Sequence, residues 1–76
     1  MEYSALFEPD LEAGGFVVTF PDFPYGVTQG ESKPEAYEMA RDLLEALIQD
    51  LIKLEKDLPA PGKHRGRRYR TVGPPR

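Results

Sequence analysis

Cysteine is missing from this 76-residue chain. Its absence excludes disulfides, thiolate metal sites and cysteine nucleophiles, and it fits a reducing cytosol. Tryptophan is also missing, and histidine occurs once, at position 64. No apolar run is longer than four residues, so a membrane-spanning helix is not expected. Met1-Glu2 opens no basic, then apolar, leader, so a secretory signal is not expected and the location read from the sequence is cytoplasmic. The length suits one small domain. A domain of that size buries only about 60% of the surface its unfolded chain exposes. Its stability alone is therefore marginal, and self-association as a homodimer or higher oligomer, or a bound protein partner, is expected.

The net charge of −3 hides a split. Residues 1–62 hold all thirteen acidic residues against four basic ones (Lys33, Arg41, Lys53, Lys56), a net of −9. Residues 63–76 hold six basic residues and no acid, a net of +6. An acidic body attracts a basic partner; a basic tail attracts nucleic acid or the acidic body of another copy. The reading divides the chain accordingly into a core, 1–62, and a basic tail, 63–76, that ends in an edge strand and a linker-like Gly73-Pro74-Pro75-Arg76.

Residues 2–8 alternate as a strand, with Tyr3, Ala5 and Phe7 on one face. Pro9 to Gly15 carries turn residues. Phe16-Val17-Val18-Thr19-Phe20 is the clearest strand, because all five residues favour β structure. Pro21 and Pro24 stop it. Tyr25–Gly30 reads as a short third strand. Ser32 and Glu35 form a capping box in which each side chain serves the other's backbone N–H. The helix that follows runs to about Leu54 or Glu55, with Ala36, Ala40, Leu43, Leu44, Leu47, Ile48 and Leu51 as its apolar stripe. Arg67–Val72 reads as a fourth, edge strand. The expected fold class is α+β: a two-layer β-β-β-α-β domain, with an antiparallel sheet of three to four strands and one long helix on one face.

Catalysis is poorly served. His64 lies between Lys63 and Arg65 with no acid near it in sequence, so it reads as a solvated loop residue rather than a general base. Glu38, Asp42 and Glu45 share a helix face, which reads as solvated rather than metal-binding. A metal-dependent nuclease needs clustered inward acids, and the predicted strands offer only Glu2 or Glu8. Asp22 reads as a turn former bonding to nearby backbone. No enzyme activity, cofactor or metal is implied. Arg65, Arg67, Arg68, Tyr69 and Arg70 have the ingredients of a nucleic-acid contact, guanidiniums with one aromatic ring, although the role read for them first is a charged edge strand protected against self-association. Phe23 and Tyr25 sit among prolines and glycines, either as exposed binding residues or as a satellite core under the loop.

Gly14-Gly15-Phe16-Val17-Val18-Thr19-Phe20-Pro21-Asp22-Phe23-Pro24, continued by Thr28-Gln29-Gly30-Glu31-Ser32, Pro34-Glu35-Ala36 and Ala40, resembles the HicB-like antitoxins. Pro59-Ala60-Pro61 resembles the segment after the family's helix. The resemblance covers residues 2–61. It implies a partial, catalytically degenerate RNase H-like fold. It also implies a role in toxin–antitoxin systems: covering the active site of a small, basic, HicA-type toxin that cleaves mRNA. Asp22, Phe23, Tyr25, Glu8, Asp10 and Glu12 are the expected toxin contacts. Many members carry a C-terminal DNA-binding domain; this chain stops at Arg76, where such a domain begins, so operator binding is not carried over.

Overall fold

The computed structural model describes residues 2–74. Four strands and a helix follow in the order β1 (Tyr3–Pro9), β2 (Phe16–Thr19), β3 (Val27–Gly30), α1 (Lys33–Lys53), β4 (Tyr69–Val72). All neighbouring strands are antiparallel, in the spatial order β3-β2-β1-β4. The α+β class, the single sheet and the covering helix agree with expectation. Of the linker-like end, Pro75 and Arg76 lie outside the described residues.

The element limits differ from the sequence reading for local reasons. β1 extends to Pro9, which pairs with Phe16. β2 stops at Thr19 because Pro21 lacks an N–H and the Phe23 N–H turns back to the Phe20 carbonyl at 3.0 Å. β3 starts at Val27 rather than Tyr25, since Gly26 has φ +107° and cannot continue an extended strand. β4 starts at Tyr69 rather than Arg67.

At the helix start, Ser32 Oγ accepts from the Glu35 N–H at 3.3 Å. The Glu35 carboxylate accepts from the N–H of Glu31, not of Ser32, so the box closes one residue further back. At its end, the Glu55 N–H donates to the Ile52 carbonyl and the Lys56 N–H to that of Leu51, a Schellman arrangement with Glu55 at φ +56°.

The core lies between the helix and one face of the sheet. It joins Tyr3, Ala5, Phe7, Val18, Phe20 and Val72 to Ala36, Ala40, Leu44, Leu47 and Leu51, all buried. Leu43 and Ile48 pack at its margin. Two glycines let the layers close. A Cβ on Gly15 would fall on the carbonyl oxygen of Gly30, and a Cβ on Gly30 would fall on the backbone of Ala36. Gly15, at φ +77°, answers to turn geometry as well as to close backbone approach, and Gly30 to close approach alone. No helix among the described residues is long and apolar enough to cross a membrane.

Candidate partner-binding face

Among the described residues, the sheet's second face carries no helix. By register, Tyr69, Leu6, Thr19 and Val27 form one row across it, and Glu8, Val17 and Gln29 the next. Leu6, Val17, Thr19 and Tyr69 are half-buried, while Val27 is 62% exposed. Four apolar side chains thus share a face with one carboxylate, Glu8, and small polar groups. That composition suits an interface that is apolar at its centre and polar at its rim.

The expected contact residues separate into two groups. Glu8 stands on this face and is exposed. Tyr25 is 47% exposed in the loop before β3. Asp10 and Glu12 lie on the β1–β2 turn, where Asp10 Oδ1 accepts from the N–H groups of Glu12 and Ala13 at 3.2 and 3.1 Å. Phe23, read from sequence as exposed or as satellite core, is buried in the main core. It meets the rings of Tyr3 and Phe20 edge-on, at 4.8 and 6.1 Å between centroids. Leu6, Val17 and Val27 were missed as surface candidates. Their signal was the β alternation itself, which assigns them a common face only once the strand order is known.

Asp22 and His64 need correction together. Asp22 does not cap its own turn. Its carboxylate accepts from the Gly62 N–H at 3.0 Å and lies 3.0 Å from His64 Nε2, across 42 residues of sequence. His64 is not a free loop residue either: it has an orienting carboxylate after all, and its ring stacks on Tyr69 at 5.4 Å and 21°. Partial burial pushes the Asp22 carboxyl up, but the hydrogen bonds from His64 and Gly62, with the charge of His64, outweigh burial and hold it below the usual carboxylate value. Burial, followed by the nearby Asp22 charge, pushes the Tyr3 phenol up, while its hydroxyl donates to the Pro59 carbonyl at 2.7 Å. These contacts pin the segment after the helix against the β2–β3 loop.

The basic residues are also divided. Arg65, Arg67, Arg68 and Arg70 are exposed, but one face of the Tyr69 ring is taken by His64. A base has that much less ring on which to stack. Among the described residues no three His, Asp or Glu side chains gather as metal ligands.

Comparison with known proteins decides the family. The family model described as "HicB_like antitoxin of bacterial toxin-antitoxin system" matches residues 2–71. The chain belongs to the HicB-like antitoxin family. Antitoxin HicB 1 of Photorhabdus laumondii subsp. laumondii is 40% identical over 62 residues, covering 82% of this chain and 39% of that protein. Antitoxin HicB of Escherichia coli strain K12 is 36% identical over 61 residues, covering 80% of this chain and 44% of that protein. A chain of a toxin–antitoxin complex from Streptococcus pneumoniae superposes with a TM-score of 0.76 at 38% identity, covering 83% of this chain and 45% of that one. This HicB-like chain therefore spans less than half the length of the relatives it matches. The likeness includes the fold, so the family assignment read from residues 2–61 holds in structure as in sequence.

Proposed function

We propose that this HicB-like chain is a non-enzymatic antitoxin that neutralises a HicA-type, RNA-cleaving toxin in the cytoplasm by laying its open sheet face over the toxin's active site. The observation that carries the reading is that face: half apolar, free of any helix, and part of a body whose first 62 residues have a net charge of −9. A toxin that handles RNA is basic, and an acidic partner speeds and orients its capture. Leu6, Val17 and Val27 supply the apolar centre, with Glu8 among them, Tyr25 beside them, and Asp10 and Glu12 at the edge. Asp22 and Phe23 hold the β2–β3 loop in place from within. The similar Streptococcus pneumoniae chain belongs to a toxin–antitoxin complex, which supports a toxin as the class of partner.

The test is co-expression with the small open reading frame adjacent to this gene. Wild type should restore growth and co-purify with its product. Val27→Asp, at a 62% exposed position, should leave the circular dichroism spectrum unchanged and lose protection. Full protection by a folded Val27→Asp/Glu8→Arg variant would place the toxin elsewhere.

A further inference from the structure

A groove of about 540 Å³ opens on the helix side of the sheet, away from the proposed toxin face. Phe7, Phe16 and Tyr37 form its apolar floor, and Lys33, Arg67, Arg68 and Arg70 stand on its rim against a single acid, Glu38. Lys33 Nζ sits 5.8 Å from the centre of the Phe16 ring. Four cations around an aromatic floor call for an occupant that is acidic and carries an apolar anchor. A basic toxin is the wrong charge for it.

The same molecule carries that chemistry on its β1–β2 turn. Leu11 is 95% exposed, the most exposed large apolar side chain described, and it stands between Asp10 and Glu12. The turn is held in shape by the Asp10 carboxylate, so docking it does not require ordering a loose loop. Pro9 lines both the groove and the hollow beneath the turn, so anchor and receptor lie side by side.

We propose that the groove receives the Asp10-Leu11-Glu12 turn of a second copy of this chain. A twofold axis passing beside Pro9 lets the two copies exchange turns reciprocally, Leu11 on the aromatic floor and the carboxylates against the arginine rim. The contact shares Asp10 and Glu12 with the proposed toxin edge, but it is tested on the purified chain without a toxin, so its failure and that of the toxin reading are distinguishable.

Sedimentation of the purified chain over a concentration series tests this. Wild type should self-associate. Leu11→Asp, at a site with no internal packing to lose, should raise the dissociation constant about tenfold to a hundredfold, the range expected for a buried leucine. Arg67→Glu/Arg68→Glu should do the same, and mixing it with Glu12→Lys should restore association as a heterodimer. A wild type that stays monomeric throughout, or a dimer indifferent to both sets of substitutions, overturns the proposal. So does Arg67- and Arg68-dependent binding of a single-stranded oligonucleotide that Leu11→Asp leaves intact while no dimer forms, which assigns the groove to nucleic acid.

Discussion

Asp22→Ala removes both contacts that tie the segment after the helix to the β2–β3 loop, and its cost follows from where the partners sit. The Asp22 side chain is 11% exposed and that of His64 27%, but Gly62 is exposed, so water replaces the acceptor its N–H loses. Hydrogen bonds to charged groups contribute about 1.5–3 kcal/mol when buried and less when solvated, which sets the expected loss at about 1–2 kcal/mol. In a domain of this size that lowers the melting temperature by roughly 5–15 °C. The loss depends on pH with a definite sign. The Asp22 carboxyl titrates below its ordinary value in the folded protein, so its contribution is complete above the unfolded carboxylate range near pH ~4 and fades as the pH falls through the lower, folded value. Guanidinium unfolding of wild type, Asp22→Ala and Asp22→Asn at neutral and strongly acidic pH measures it. The gap between wild type and Asp22→Ala should close on acidification, with Asp22→Asn in between at neutral pH. A neutral-pH gap under about 0.5 kcal/mol, or one that acid leaves unchanged, refutes the reasoning.

Three further outcomes rest on packing. Gly30→Ala drives a Cβ onto the backbone of Ala36, which has no flexible end to move, and should cost about 3 kcal/mol or more in a thermal melt. Leu44→Ala empties a fully buried site at the middle of the helix and should cost about 3–5 kcal/mol, enough to leave much of this small domain unfolded in circular dichroism. Ser32→Ala removes the acceptor for the Glu35 N–H and should cost about 1 kcal/mol by chemical denaturation, leaving the fold intact.

The parts of this fold that were legible in the sequence are those written in short-range periodicity. The stripe from Ala36 to Leu51 repeats at three and four residues, and five of its seven members are buried in the core. The alternation in β1 placed Tyr3, Ala5 and Phe7 inside, where they are. What escaped depends on distant segments meeting. No local rule joins Asp22 to His64 or to Gly62, and flanking Lys63 and Arg65 pointed the wrong way for His64. The prolines around Phe23 suit either an exposed residue or a satellite core, yet the turn that Pro21 enforces swings its ring into the main core against Tyr3 and Phe20. The open face was half legible: alternation paired Leu6 with Ser4 and Glu8, but only the strand order brings Val17 and Val27 alongside.

The pairing of β1 with β4 has a consequence for the chain while it is still being made. Tyr3 lies opposite Val72, so the first of the sheet's strands to leave the ribosome waits for the fourth before its outer edge is closed. Until then β1 offers a row of unsatisfied N–H and C=O groups to any neighbouring nascent chain. Contacts this far apart in sequence also form slowly. Synthesis that stalls before residue 69 would release a hairpin and helix with a bare, sticky edge, a hazard of aggregation along β1 that the completed sheet removes.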